Sequence, residues 1–151
     1  MRRGMNILAL DPAAVTGFCT NTTSGTWNLK PKSYESNGMK FIKMKSSLHE
    51  VVKSEEIDLV VYEKPSGAHF NGLRSHANFE GIIVGYCEDN NIDYKDYSAS
   101  EIKKFATGKG NANKAKMIEA CKETYRIEPE DDNHADAIHL FNLAKKQWIC
   151  V

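Results

Sequence analysis

The sequence predicts an α/β fold, a mixed five-stranded sheet flanked by helices, on three observations. Two short apolar runs, residues 6–10 and 57–62, each stop at an acidic residue, Asp11 and Glu63, as buried central strands do. Two further β-rich segments, 15–20 and 25–29, are separated by the turn-forming cluster Asn21-Thr22-Thr23-Ser24. After them, stretches of helical period alternate with strand-like runs, the pattern of a layered α/β structure.

Taken in order, 6–10, 15–20 and 25–29 read as a three-stranded antiparallel meander. Residues 40–56 place Phe41, Met44, Leu48, Val51 and Val52 at spacings of three and four, which predicts an amphipathic helix. The strand at 57–62 leads through Glu63-Lys64-Pro65 into a polar, glycine-containing loop at 66–72. A helix is expected over 73–89, with Phe79, Ile82, Ile83 and Tyr86 on one side, and then a strand at 92–97. Helices are expected near 100–106, 112–125 and 132–148.

A chain of 151 residues suits one domain, 1–151, with its own core. No apolar run reaches the roughly 18 residues needed to cross a bilayer. The stretch after Met1-Arg2-Arg3-Gly4 is too short for a signal peptide, so the expected location is the cytoplasm, without a membrane partner. Cysteines 19, 87, 121 and 150 lie far apart, which argues for reduced buried thiols over a zinc knuckle or disulfide framework. Net charge is zero, but its distribution is uneven. Between Glu101 and Arg126 seven basic residues face three acidic ones, whereas Glu128, Glu130, Asp131, Asp132 and Asp136 follow with no base among them. Such a pairing suits a protein that grips phosphate and also holds cations, although two solvated segments of opposite sign would look the same.

Asp11 and Glu63 stand at strand ends, where open α/β sheets build their ligand sites. If the strands are neighbours, both carboxylates enter one crevice, where their repulsion is relieved by a proton or a cation. A third contribution comes from Asp131-Asp132-Asn133-His134-Ala135-Asp136-Ala137. Asp132 and Asp136, four apart, share a helix face, and the alanines allow close approach to a sheet. Capping of the helix start explains Asp131 or Asp132 equally well, but not Asp136, a full turn in. Four carboxylates suit hard ions such as magnesium, and two such ions across a phosphate perform phosphodiester hydrolysis.

These residues resemble the RuvC family of Holliday junction resolvases, within the ribonuclease H-like fold. The resemblance runs through Ile7-Leu8-Ala9-Leu10-Asp11-Pro12, Thr16-Gly17-Phe18, Glu63, Tyr97-Ser98-Ala99-Ser100-Glu101-Ile102-Lys103, Thr107-Gly108-Lys109-Gly110-Asn111-Ala112-Asn113-Lys114 and the acidic motif at 132–137. It implies a homodimer that nicks four-way junctions and other branched DNA with Mg²⁺, or Mn²⁺ in its place, and with no small-molecule cofactor. It assigns Asp11, Glu63 and Asp136 as catalytic and metal-binding acids. Asp132 is the choice for the fourth, with Asn133 and His134 as alternatives; His134 otherwise reads as a helix-surface residue. Lys103 and Lys114 match family lysines near the scissile phosphate. Lys109, between two glycines, is expected to approach the DNA backbone. Phe70 in the polar loop reads equally as a wedge into opened base pairs or as a loop anchor packed on the core, and Arg74 equally as a phosphate ligand or a solvated residue. The loop after Glu63 diverges from cellular members, which points to a bacteriophage-type protein. Two other readings are a non-catalytic junction-binding protein and a nuclease of this fold acting on RNA or an RNA–DNA hybrid.

Overall fold

The computed structural model describes residues 4–66 and 70–148, and for 70–72 the backbone alone. Strands β1 (Ile7–Asp11), β2 (Val15–Cys19) and β3 (Ser24–Asn28) form the antiparallel meander. Helix α1 (Met39–Glu55), β4 (Leu59–Glu63), α2 (Phe70–Asp89), β5 (Asp93–Tyr97), α3 (Ala99–Thr107), α4 (Lys114–Tyr125) and α5 (Asp132–Trp148) follow. The sheet has the order β3-β2-β1-β4-β5, with β4 parallel to both β1 and β5. This is the mixed five-stranded sheet of a ribonuclease H-like fold. Among the described residues no helix is long and apolar enough to cross a membrane.

The period-two alternation of the central strands divides the core in two. Ile7, Ala9, Leu59 and Val61 pack beneath α5, against Ala135, Ala137, Ile138 and Leu140. Leu8, Leu10, Val60 and Tyr62 face the other way, onto Met44 and Leu48 of α1 and Phe79 and Ile83 of α2. In the parallel register Ile7 lies opposite Leu59 and Ala9 opposite Val61. Asp11 and Glu63 occupy the next alternate step, so the parity that buries those four residues turns both acids toward α5.

Two sequence expectations change here. The helix after Glu63 begins at Phe70, not Leu73, so Phe70 starts α2 instead of standing in a loop. Its backbone extends the helical pattern toward the loop, and its expected wedge side chain lies outside the described residues, as do Gly67 and His69. His134 is buried, not on the helix surface. Cys19, Cys87 and Cys121 are buried and free; burial lifts the thiol of Cys19 to about 12 and that of Cys87 to about 12.

Candidate active site

The turn after β1 and the start of α5 are built around three consecutive residues of β2. Thr16, fully buried, donates its hydroxyl to the Ala13 carbonyl at 2.6 Å and accepts from the Ala13 N–H, clamping the turn that follows Asp11. At Gly17 a β-carbon would stand 1.9 Å from the backbone oxygen of Asn133, so only glycine lets α5 lie this close to the sheet. The Asn133 amide donates to the Val15 carbonyl at 2.9 Å. The Thr16-Gly17 pair is thus a docking element for the acidic helix.

The amino end of α5 is pinned by further bonds. Asp131 caps it, its carboxylate accepting the His134 N–H at 2.8 Å. His134 Nδ1 accepts the Glu130 N–H at 2.9 Å, which leaves Nε2–H to donate to Ser24 Oγ at 2.8 Å. Both ring nitrogens are spent on structure, so His134 is not the fourth ligand. Asn133 is likewise committed through its amide nitrogen to β2. Capping therefore falls to Asp131, and Asp132 is free to turn toward the sheet ends.

One carboxylate oxygen from each of Asp11, Glu63 and Asp136 lies within 4.8 Å of the other two. They open into a cleft of about 710 Å³ lined also by Asp132, Asn133, Lys103, Asn113, Lys114, Ser66 and Leu73. Asp132 lies in the cleft wall, outside the tight trio, with its carboxylate 3.6 Å from Lys114 Nζ. Lys103 follows from α3, whose start is capped by Ser98 accepting the Glu101 N–H. Lys114 opens α4, capped by Asn113 through the Lys116 N–H. Ser98 and Asn113 are thus helix caps that set two lysines at the cleft.

Lys109 and Arg74 are exposed and do not line the cleft. The glycines beside Lys109 have structural causes. Gly108 ends α3 in the left-handed region at φ +85°, and Gly110 packs where a β-carbon would stand 2.5 Å from Ser100 Oγ.

Crowding the acids shifts their protonation. Burial, then the charges of Glu63, Asp136 and Asp132, lifts Asp11 well above the carboxylate range, and Asp11 shares a hydrogen bond with Asp136. Burial and the charges of Glu63 and Asp132 raise Asp136 to about 7, opposed by Lys103. Glu63 is raised chiefly by burial, with Lys103 countering it. Asp136 Oδ1 is buried with no hydrogen-bond partner. An orphaned anionic oxygen beside two more carboxylates fits a hard divalent cation, which satisfies the lone pairs and removes the repulsion that now requires a proton.

A residue not anticipated from sequence stands behind Glu63. His76, on α2, lies with Nε2 2.8 Å from the Glu63 carbonyl oxygen, and burial keeps its ring pKa low. This bond ties the end of β4 to α2. No local motif marks it, because the partner is a main-chain atom thirteen residues away.

The five-stranded sheet, the closing acidic helix and the strand-end carboxylates define the class: a ribonuclease H-like fold with an acidic cleft at the carboxyl edge of its sheet. Within that class the chain has the fold of the RuvC Holliday junction resolvases. It is similar to Thermus thermophilus RuvC in complex with a Holliday junction substrate, at a TM-score of 0.72 and 16% identity, covering 90% of each chain. It is similar to another Thermus thermophilus RuvC structure at a TM-score of 0.72 and 13% identity over 95% of each chain. The yeast mitochondrial Holliday junction resolvase Ydc2 matches at a TM-score of 0.63 and 12% identity, over 93% of this chain and 78% of that one. No family model matches the sequence.

Proposed function

We propose that this chain is a divalent-metal-dependent endonuclease that resolves Holliday junctions and related branched DNA. The observation that carries the reading is the convergence of Asp11, Glu63 and Asp136 in a cleft that also holds Lys103. The fold shared with resolvases, one of them described in complex with a Holliday junction, supports the choice of substrate.

In this reading Asp11, Glu63 and Asp136 hold the cation, Mg²⁺ or Mn²⁺, and Asp132 adds an oxygen from the cleft wall. When bound, such ions lower the pKa of a water and neutralise charge on the departing oxygen. Water adds to phosphorus and the bond to the 3′ oxygen breaks, leaving a 5′ phosphate and a 3′ hydroxyl. Lys103 would offset the charge of the scissile phosphate, and Lys114, paired with Asp132 at the cleft rim, would neutralise phosphate charge beside it. Lys109, Arg74 and Phe70 are left to contacts beyond the cut. Two copies nicking two strands of one junction symmetrically, in the cytoplasm (that of the bacterial host cell for a phage-encoded chain), complete the reading.

A labelled immobile four-way junction with Mg²⁺ tests it, beside a fork and an RNA–DNA hybrid. The native chain is expected to place paired nicks in the junction, whereas Asp11→Asn and Asp136→Asn bind it uncut. Preferential cutting of the hybrid would make the chain a hybrid nuclease. Binding without cutting by the native chain under all divalent ions would make it a junction-binding protein.

A further inference from the structure

The segment from β3 into α1 has no part in the site described, yet its charge is strongly one-sided. From Asn21 to His49 the sequence has five lysines, Lys30, Lys32, Lys40, Lys43 and Lys45, and a single acid, Glu35. Glu35 is spent on Lys43, at 2.8 Å, and on the Lys32 N–H, which hold its carboxyl below the usual range. Lys30, Lys32 and Lys45 are exposed, and Tyr34, at the middle of the loop, is 80% exposed.

Topology sets this segment at the edge of the sheet where the carboxylates lie. β1 runs up to Asp11, β2 runs down, and β3 runs up again, so Asn28 lies opposite Val15 beside the turn that follows Asp11. The Leu29 N–H donates to the Ala14 carbonyl at 2.7 Å, and Lys43 Nζ donates to the Lys30 carbonyl at 3.2 Å. A short series of bonds therefore links the turn after Asp11, the root of the basic loop and the first turns of α1. β3 is two strands from β1, about 10 Å at ordinary strand spacing. That lies well within the roughly 34 Å of one turn of duplex.

We infer that Lys30, Lys32 and Lys45 form a second phosphate-binding surface, which takes up the duplex flanking the cut strand and strengthens binding without entering the chemistry. The inference rests on the nuclease reading above for its ligand. Charge selects the partner: exposed ammonium groups that outnumber the single acid of their segment fit a polyanion, and the shared sheet edge makes that polyanion the DNA already engaged by the cleft.

The test is the salt dependence of junction binding, measured with all chains in an Asp11→Asn background so that nothing is cut. Every phosphate that a removed lysine no longer neutralises flattens the slope of log K against log salt by about 0.9, so Lys30→Gln/Lys32→Gln/Lys45→Gln is expected to reduce it by about 2.7. A control carrying Lys145→Gln/Lys146→Gln, at the opposite end of α5, is expected to keep the full slope. With Asp11 restored, the triple variant is expected to cut at the native rate once saturated with junction. An unchanged slope in the triple variant, where the parent binds well, overturns the second surface alone. An equal loss in the control overturns it too, since the effect would then be one of net charge. A parent chain that binds no junction overturns the nuclease reading and this inference together.

Discussion

Replacing Asp136 with asparagine separates what the carboxylate costs the fold from what it does for an ion. Asp136 is raised from 3.8 to about 7 by burial and by Glu63 and Asp132, a difference on the order of 4 kcal/mol between its charged and neutral forms. Because the folded chain holds this proton more tightly than the unfolded chain, the associated stability is complete below about pH 4. It is lost as pH climbs through about 7. The ion-free native protein should therefore melt lower at about pH 8 than at about pH 5, and Asp136→Asn should flatten that decline. At about 2–4 °C per kcal/mol for a chain of this size, the variant gains up to roughly 8–16 °C over the native protein at the higher pH. Calorimetry in chelator reads both effects, and a repeat with Mg²⁺ should raise the native melting temperature while leaving the variant where it was. Equal melting of native and Asp136→Asn chains at about pH 8 in chelator would refute the argument that these carboxylates are held together against their repulsion.

Lys103→Gln should slow single-turnover cleavage about 10²–10³-fold, the usual cost of losing one group that steadies transition-state charge. It should not weaken Mg²⁺ binding measured by titration calorimetry, since Lys103 faces the same acids as the ion. Gly17→Ala drives a β-carbon into the Asn133 backbone and should cost about 3 kcal/mol or more in urea unfolding, with loss of Mg²⁺ binding as α5 is displaced. His134→Ala strands the Glu130 N–H and the Ser24 hydroxyl and should cost roughly 2 kcal/mol. Because His134 is no ligand, titration calorimetry should show its Mg²⁺ affinity retained, and a large loss there would return it to the site.

The surroundings of the acidic cleft divide by how each contact is encoded. Short continuous apolar runs mark β1 and β4 as buried strands, because apolar side chains must leave water whatever their neighbours. They also mark Asp11 and Glu63, since a charge closing such a run stands out. The spacing of Asp132 and Asp136 is equally local, set by the helical turn. The resemblance through 97–114 and 132–137 supplied Lys103 and Lys114, which no periodicity singles out.

What the sequence left undecided depends on partners distant along the chain. Asp131, Asp132, Asn133 and His134 compete for the same roles in any local reading. Contacts with β2 and β3 decide between them, sending His134 to Ser24, Asn133 to Val15 and Asp132 to the cleft. Gly17 has no turn to explain it and is understood only against the helix lying over it. The link of His76 to Glu63 is hidden for the same reason, its acceptor being a main-chain oxygen that any residue would offer. Local sequence thus determined the elements and most of the acids, because burial and helical spacing act within a few residues. Only the tertiary structure decided which acids share an ion-sized space, because electrostatic proximity depends on strand order and helix docking.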